Sequence, residues 1–288
     1  MDGNVMPIVV GVDGSADSQR AVRWAVEEAS RSGTPLLLFH SISRPLETAT
    51  AAPIAEARAQ GEEILAQARA LVGDFPEVSV SARRVEGLGL MPAAALVEAS
   101  EQASVVVVGA RGHGGFTGLL LGSVSQHAAR HASCPVVAVR APADDRSHRV
   151  VVGVDGSASA QKALNFACEH AGRRDGEVTA VLGWRGPTLH GLGVAVPITG
   201  DAHQQQQQQR HQSQLEEWLA PTRSRFRDVR LEAEAIPGHA ARLLIDASEH
   251  AALVVVGSRG RGAFAGLLLG SVGQSVLDHA RCPVAIVR

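Results

Sequence analysis

GARGHGGFTGLLLGSVSQHAARHASCPVVAVR, residues 109–140, is repeated at residues 257–288 as GSRGRGAFAGLLLGSVGQSVLDHARCPVAIVR. Direct comparison gives 20 identical positions among the 32. Upstream, IVVGVDGSADSQRAVRWAVEEAS at 8–30 matches VVVGVDGSASAQKALNFACEHAG at 150–172. The two matches are offset by 148 and 142 residues, far more than the roughly 20–50 residues of a solenoid unit. We therefore expect each copy to be a complete domain with its own core.

A polar segment, APADDRSH at Ala141–His148, separates the two copies. The sequence therefore predicts two domains, residues 1–143 and residues 148–288. At about 100–200 residues per domain, a chain of 288 residues has room for both.

Apolar runs rich in β-branched residues alternate in each copy with stretches of helical period, which predicts repeated βα units. The run SVVVVG at Ser104–Gly109 is apolar throughout, as expected for a central strand covered on both faces. The predicted fold class is α/β, with two tandem open five-stranded parallel sheets and helices on both faces. The strands expected in the first copy are Ile8–Asp13, Pro35–Ile42, Val78–Val85, Val105–Gly109 and Val136–Arg140.

The second copy has six more residues between its matching segments than the first, and the most irregular stretch available for them is Arg185–Gln214. That stretch contains six consecutive glutamines, Gln204–Gln209. We interpret it as a solvated loop that leads into a helix whose interior starts near Leu215, the alternative being a regulatory interaction arm.

The composition argues against several classes of function. A formal net charge of -2 and a pI near 6.6 provide no field that would draw the chain to nucleic acid or to an anionic membrane. No run reaches the ~20 apolar residues of a membrane span, and the first residues do not resemble a secretory leader. A cytoplasmic location is therefore expected, and the three cysteines are expected to be buried free thiols that bind no metal.

The most informative pattern is the spacing G-x2-G-x9-G-S after the fourth strand of each copy. Glycines allow positive φ and a close approach of the backbone to a ligand, and the final Gly-Ser stands where a helix should begin. The N–H groups and dipole of a helix N-terminus favour a phosphate, while the serine hydroxyl could bond a phosphate oxygen or cap the helix. The pattern falls on Gly109, Gly112, Gly122 and Ser123, and on Gly257, Gly260, Gly270 and Ser271.

Other phosphate-binding signatures are not matched. A Walker A loop needs a lysine, and Lys162, the only lysine of the chain, falls on an expected helix. GRGAFA at Gly260–Ala265 formally fits a dinucleotide fingerprint, but it follows the fourth strand rather than the first. The chain is therefore not expected to be a P-loop NTPase or a dinucleotide-dependent enzyme.

Each copy also places an aspartate at the end of its first strand, within the motif VGVDGS. Asp13 and Asp155 are expected at the carboxyl edge of the sheet, where open α/β sheets bind ligands. A carboxylate there can accept hydrogen bonds from ribose or help to hold a divalent metal beside phosphates, whereas the alternative is a helix N-cap. We expect the strands that carry Asp13 and Gly109 to be neighbours.

With VGVDGS, the glycine loop and the closing strands CPVVAVR and CPVAIVR, each half resembles the universal stress protein family. The resemblance covers both halves except residues 185–214, and it implies a Rossmann-like sheet of the adenine nucleotide alpha hydrolase type. The glycine spacing is similar to that of the ATP-binding branch of the family. The resemblance therefore implies one ATP site per domain, with the presence of Mg²⁺ left open, and a regulatory role in stress response or growth arrest.

Carried onto this sequence, the resemblance implies that the aspartates contact the nucleoside and that the glycine loops hold the phosphates. Ile42 and Trp184 would flank adenine, a core-facing position being the alternative. The implied ligand-binding residues of the first copy are Gly11, Asp13, Gly109, Ala110, Arg111, Gly112, His113, Gly114, Gly122 and Ser123. Those of the second copy are Gly153, Asp155, Gly257, Ser258, Arg259, Gly260, Arg261, Gly262, Gly270, Ser271 and Val272.

The first copy departs from the family pattern just before its third helix. Where the family commonly has a glycine, this copy has Leu90, whereas the second copy has Gly238. A side chain at that position could narrow the first pocket, so the second site is expected to be the more intact. The resemblance also implies pairing through the last strands, between the two halves of one chain, and further pairing of chains into a homodimer.

Two other functions are open at this point. The loops could support slow ATP hydrolysis or phosphoryl transfer, to which Arg111, Arg259, Arg261 or His113 would contribute charge. Only Arg111 and Arg259 among these recur in both copies, so no shared acid and base are evident. Alternatively, the chain is a dimerising scaffold that binds protein partners without nucleotide, and its glycines serve only a tight turn.

Overall fold

The computed structural model describes residues 5–44, 51–88, 91–112, 121–141, 147–185, 188–191, 194–197, 201–262 and 268–288. Contacts divide the chain into two compact units. The first is Met1–Ala141 with residues 283–286 and 288, and the second is Pro142–Cys282 with Val287. The predicted α/β fold class is confirmed in both units, whereas the domain boundaries at 143 and 148 stay a prediction.

The first unit contains four α-helices and five strands in alternation within its described residues up to 141, and a short 3-10 helix at Ser100–Gln102 follows the third α-helix. They are β1 (Ile8–Gly11), α1 (Ala16–Ser32), β2 (Leu36–Arg44), α2 (Ala51–Ala70), β3 (Val80–Leu88), α3 (Pro92–Ala99), β4 (Val105–Gly109), α4 (Ser123–His131) and β5 (Val136–Val139). These strands lie in the order β5-β4-β1-β2-β3, and their described pairings are parallel. β1 and β4 are neighbours, as expected, and the chain reverses direction across the sheet between them, which creates a switch point at their carboxyl ends.

The second unit repeats this arrangement and adds a small hairpin. Its elements, with the final strand of the repeat, are β6 (Arg149–Gly153), α5 (Ala158–Gly172), β7 (Glu177–Trp184), β8 (Thr188–Gly191), β9 (Val194–Pro197), α6 (Asp201–Arg225), β10 (Arg230–Pro237), α7 (Ala240–Ala247), β11 (Leu253–Gly257), α8 (Ser271–His279) and β12 (Val284–Val287). The strand order β10-β7-β6-β11 is parallel and matches β3-β2-β1-β4. β8 and β9 pair with each other in a separate antiparallel sheet.

The central strands are buried on both faces, which explains why their sequences do not alternate. Val105, Val106, Val107 and Val108 of β4 are between 0% and 6% exposed, although successive side chains of a strand point to opposite faces. The equivalent residues of β11, Leu253–Val256, are at most 3% exposed. Helices therefore cover each sheet on both sides, as the uninterrupted apolar runs predicted.

The interpretation of residues 185–214 as an irregular loop is wrong. The hairpin β8–β9 occupies part of this segment, and α6 begins at Asp201, so the whole glutamine tract is helical. The Gln212 side chain donates to Ala233 O at 2.9 Å and accepts from the Ala235 N–H at 3.0 Å, and Gln208 donates to Ala235 O at 2.6 Å. The glutamines thus bond to main-chain groups of β10, contacts that the amino-acid composition of the tract did not indicate.

The cysteines and the helices bear on two further expectations. Cys134, Cys168 and Cys282 are buried thiols outside any disulfide, as predicted. Burial raises the pKa of the Cys134 thiol to about 11 and that of the Cys168 thiol to about 12. None of the helices in the described ranges combines the length and the apolar character needed to cross a membrane.

Candidate functional site

The turn after the first strand of each unit contains an aspartate whose carboxylate accepts hydrogen bonds from backbone N–H groups. In the second unit, Asp155 Oδ1 accepts from the Ser157 N–H at 3.0 Å, and Oδ2 accepts from the Arg261 N–H of the glycine loop at 2.9 Å. In the first unit, Asp13 Oδ1 accepts from the Ser15 N–H at 3.0 Å. The carboxylates therefore hold the turn in place, and Asp155 also fixes the glycine loop beside it.

The alternative that these aspartates cap helices is wrong. The N-cap residues of α1 and α5 are Ser15 and Ser157, whose hydroxyls accept a bond from the backbone N–H three residues later. Between aspartate and serine, Gly14 and Gly156 have φ angles of 84° and 76°. This left-handed conformation favours glycine, so the sequence Asp-Gly-Ser sets the turn and leaves the carboxylate at the carboxyl edge of the sheet.

The glycine loop closes in the same way in both units. The Gly122 N–H donates to Ala110 O at 2.7 Å, and the Gly270 N–H donates to Ser258 O at 2.8 Å. These glycines are the N-cap residues of α4 and α8, and neither helix has a side-chain cap. Ser123 is the first residue of α4 rather than its cap, so the capping alternative for this serine is wrong.

The loop glycines of the first unit serve different purposes. A Cβ on Gly109 would lie 2.6 Å from the Asp17 backbone carbon, so Gly109 is needed for the packing of α1 against the end of β4. A Cβ on Gly112 would collide with the Asp13 carboxylate, whereas a Cβ on Gly122 would find only ordinary contacts at 3.4 Å or more. None of the three takes a positive φ. The first two positions therefore require glycine because neighbouring atoms lie too close for a Cβ, and not because of their backbone conformation.

The same contacts recur in the second unit. A Cβ on Gly257 would lie 2.8 Å from the Ser159 backbone carbon, and a Cβ on Gly260 would lie 2.5 Å from Asp155 Oδ2. The spacing predicted as a phosphate loop thus contains one glycine that packs against a helix and one that makes room for a carboxylate. Tertiary packing accounts for part of the motif before any ligand is considered.

A cavity of about 480 Å³ lies at the carboxyl ends of β1, β2 and β4 in the first unit. Its volume falls within the range of roughly 300–1,000 Å³ typical of small-molecule sites. Seven of the residues predicted to bind a ligand line it: Gly11, Asp13, Gly109, Arg111, Gly112, Gly122 and Ser123. The sequence therefore located the cavity through two separate segments, the turn after β1 and the loop after β4.

Other residues of the cavity were missed by the sequence analysis. β2 contributes Phe39, His40 and Ser41, and α3 contributes Pro92 and Leu96. The signal that could have found the β2 residues is their position at the carboxyl end of a strand next to β1, where the sheet edge continues. The α3 residues carry no such signal, because the sequence does not say which face of a short helix turns towards the sheet.

Two polar side chains of β2 have consequences for a ligand. His40 Nδ1 lies 2.7 Å from Val12 O, and because a carbonyl only accepts, Nδ1 carries the proton and donates. Ser41 Oγ is buried and has no hydrogen-bond partner among the residues that the structure describes. A buried hydroxyl without a partner is costly unless something binds it, so a polar group of a ligand in this cavity would stabilise it.

Several residues predicted to bind a ligand are not found in the cavity lining. Ala110 and Ser258 are 2% exposed, and Ala110 does not line the cavity. His113 and Gly114 lie outside the described residues, as does Leu90. Their roles, together with the binding roles of the second-unit residues, stay a prediction.

The two residues expected to flank adenine are buried. Ile42 is 8% exposed and packs on α2, since a Cβ on Gly61 would lie 3.1 Å from its Cδ1. Trp184 is also 8% exposed, and its ring stacks on that of His211 with 4.7 Å between centroids. The core-facing alternative thus describes Ile42. The buried indole N–H of Trp184 has no hydrogen-bond partner in the described part of the chain.

Gly238 marks a difference between the two units. Its φ is 152°, a value that side-chain-bearing residues rarely adopt. The first copy has Leu90 at the equivalent position in the sequence. A leucine would therefore rarely adopt the backbone conformation that Gly238 has in the second copy.

The fold and the site define a class of protein: a tandem α/β protein with a glycine loop and an aspartate at the switch point of each sheet. The chain belongs to the universal stress protein family, whose model matches residues 4–140 and 146–288. A curated universal stress protein of Mycobacterium tuberculosis is 36% identical over 294 residues, with 98% of this chain and 96% of the relative covered.

Solved structures show the same fold. A universal stress protein from Archaeoglobus fulgidus covers 100% of this chain and 99% of its own, with a TM-score of 0.70 and 20% identity. Another from Archaeoglobus fulgidus, solved in complex with dAMP, covers 47% of this chain and 98% of its own at 28% identity and a TM-score of 0.37. At that TM-score the likeness carries no conclusion about the ligand of this chain.

Proposed function

We propose that the chain binds ATP, one molecule in each unit, and acts as a nucleotide-dependent regulator of stress response or growth arrest. The observation that carries the binding proposal is the 480 Å³ cavity lined by Asp13, by the glycine loop and by the first turn of α4. Membership of the family, together with the glycine spacing, supports the regulatory part.

The cavity suits the nucleoside part of the ligand. Phe39, Pro92 and Leu96 offer apolar surface for a base, while Asp13 can accept hydrogen bonds from ribose hydroxyls. The partnerless Ser41 hydroxyl can donate to or accept from a polar edge of the ligand. An apolar site with a few polar groups is the usual composition of a small-molecule pocket.

The glycine loop suits the phosphates. α4 has no side-chain cap, so the N–H groups of its first turn are available to an anion, and the helix dipole favours negative charge there. Arg111 adds a cationic side chain to the cavity lining. If Mg²⁺ accompanies ATP, the phosphates must supply most of its ligands, because the described residues contain no group of three or more His, Cys, Asp or Glu suited to a metal.

The second unit supports a second site because its described geometry repeats the first. Asp155 ends the equivalent strand, and Gly270 bonds to Ser258 as Gly122 bonds to Ala110. The bond that closes the loop and the start of the following helix are therefore shared, and so are the N–H groups of the helix N-terminus that would face phosphate. We also propose a cytoplasmic location and a homodimer.

The test is to denature the purified protein without added ligand and to identify and count the released nucleotides by chromatography and mass spectrometry. Near two ATP per chain is the result expected from the proposal. If none is released, a thermal shift with Mg-ATP well above a micromolar dissociation constant is expected instead, since a ligand that binds only the native state stabilises it. No released nucleotide and no thermal shift would leave the scaffold function as the better account.

A further inference from the structure

The two glycine loops stand in different electrostatic surroundings, and the difference begins on the first helix of each unit. In the first unit, Asp17 is 4% exposed, and its Oδ2 accepts from the Arg111 N–H at 3.1 Å and from Arg111 Nε at 3.2 Å. Arg20 also forms an ion pair with Asp17. The arginine of this loop is therefore already engaged by a buried carboxylate.

In the second unit the equivalent of Asp17 is Ser159, which carries no charge. Its hydroxyl donates to Arg259 O, a bond to the backbone of the loop that leaves the guanidinium uninvolved. Arg259 is exposed, and its side chain makes no ion pair within the described part of the chain. The loop arginine of the second unit is therefore available to an incoming anion.

The second loop also carries an additional cation. The guanidinium of Arg261 lies 4.7 Å from the centroid of the Trp218 ring, a cation–π contact with a residue of α6. The equivalent position in the first loop is His113. Because the Arg261 N–H is bonded to Asp155 and its side chain rests on an indole, this cation is held next to the loop rather than ranging through solvent.

The net charge around the loops follows from these residues. Asp13, Asp17, Arg20 and Arg111 sum to zero in the first unit. Their counterparts Asp155, Ser159, Lys162 and Arg259, together with Arg261, sum to +2 in the second. Each phosphate added to a nucleotide brings further negative charge, so the second loop gains attraction with every phosphate while the first does not.

We propose that the two sites differ in how strongly their affinity depends on the number of phosphates: the second unit binds a nucleoside triphosphate much more tightly than a nucleoside monophosphate, whereas the first unit binds the two with similar affinity. The inference rests on the proposed nucleotide binding and assigns a phosphate preference to each site. Asp17 determines the difference in the first unit, because its carboxylate occupies Arg111 and repels a second and third phosphate. Arg259 and Arg261 determine it in the second, where arginine bonds to phosphate without a competing carboxylate.

The test changes the charge at the two equivalent positions, 17 and 159. Calorimetric titrations of the full chain with ATP and with AMP are compared for the native protein, Asp17→Asn and Ser159→Asp. Asp17→Asn keeps an oxygen that can accept from Arg111 but removes the charge. The expected result is a rise of about three- to tenfold in ATP affinity at the weaker ATP site, with AMP affinity changed less than about twofold.

Ser159→Asp is expected to lower ATP affinity at the tighter ATP site by about five- to tenfold and to leave AMP affinity within about twofold. Ser159→Ala is the matched control, because it removes the same hydroxyl bond to Arg259 O without adding charge, and it should keep the ATP-to-AMP ratio of the native protein. Raising the salt concentration should weaken ATP binding more at the tighter site than at the weaker one.

Equal ATP-to-AMP ratios at the two sites, unchanged by Asp17→Asn and Ser159→Asp, would overturn the inference while leaving nucleotide binding intact. A chain that binds neither ATP nor AMP in any of these forms would overturn the proposed function as well. The two failures are therefore distinguishable in one set of titrations. Thermal unfolding of each variant without ligand checks that an altered affinity does not come from loss of the fold.

Discussion

At the scale of single residues, the contact between the aspartate and the second glycine of the loop shapes the site in each unit. Asp155 accepts backbone N–H bonds at both carboxylate oxygens, one from the turn after β6 and one from Arg261 in the loop. Gly260 leaves room for this carboxylate, because a Cβ there would lie 2.5 Å from Oδ2. The pair therefore acts as a unit, and its geometry is sensitive to one added carbon atom.

We predict that Gly260→Ala displaces the Asp155 carboxylate and breaks its bond to the Arg261 N–H. Nucleotide affinity of the second unit should fall about tenfold or more, which corresponds to about 1.4 kcal/mol or more. Titration with ATP measures the loss. Gly262→Ala is the control for stability without ligand, since an added Cβ meets nothing within 4 Å. Unchanged affinity in Gly260→Ala would show that the aspartate does not position the loop for its ligand.

Gly109 and Gly122 allow a second prediction at this scale, because one packs against backbone and the other does not. Gly109→Ala would force α1 away from β4, since the added Cβ meets the Asp17 backbone carbon at 2.6 Å. We expect it to lower the free energy of unfolding of the ligand-free protein by about 1–3 kcal/mol, the usual cost of overpacking. Gly122→Ala should change it by less than about 0.5 kcal/mol. Urea denaturation distinguishes these outcomes, and equal effects would contradict the assignment of Gly109 to packing.

At the scale of elements, α6 has a function that its glutamine-rich composition conceals. β10 ends the strand order of the second unit, and an edge strand exposes unpaired N–H and C=O groups. Gln212 bonds to Ala233 O and to the Ala235 N–H, as a neighbouring strand would. Part of the edge is thereby blocked by side chains of a helix.

Gln212→Ala should remove both of these bonds and expose the β10 edge. We expect the free energy of unfolding to fall by about 1–3 kcal/mol, at roughly 0.5–1.5 kcal/mol for each bond, and the variant to associate more readily on warming. Urea denaturation and light scattering measure the two effects. Gln205→Ala, a change at an exposed position of the same helix, is the matched control and should behave as the native protein. Identical association of the two variants would refute the role of Gln212 in protecting the edge.

At the scale of the whole molecule, few side chains other than the buried thiols titrate at alkaline pH. The chain has no tyrosine, and Lys162 is its only lysine. Burial raises the pKa of Cys134 from 9.0 to about 11 and that of Cys168 from 9.0 to about 12. Both thiols therefore stay protonated in the folded protein at pH values where the same thiols of the unfolded chain are ionised.

The sign of the resulting pH dependence is fixed. A group with a raised pKa in the folded state contributes stability below its unfolded pKa and loses it as pH rises towards the folded value. Between about pH 9 and 11, the free energy of unfolding should fall by up to about 1.4 kcal/mol per pH unit for each of the two thiols. Urea denaturation across pH 8–10.5 in a reducing buffer measures this slope. The double variant Cys134→Ala and Cys168→Ala should show a flatter slope, and an unaltered one would exclude the thiols as its cause.

The amino-acid sequence by itself determined the duplication, the α/β class and the location of the cavity at the ends of β1 and β4. These conclusions depended on local patterns: uninterrupted apolar runs, Asp-Gly-Ser turns and glycine spacing. Such patterns suffice because a parallel sheet brings the carboxyl ends of its strands to one edge, whatever the detailed packing.

Only the tertiary structure decided what individual residues do at that edge. It assigned Gly109 to helix packing, added His40 and Ser41 to the cavity, and paired Arg111 with Asp17, a residue 94 positions away. It also formed a helix from the glutamine tract, where composition had favoured a loop. Each of these outcomes depends on contacts between segments distant in the chain, and the free energies of such contacts are set by three-dimensional proximity, which local sequence does not encode residue by residue.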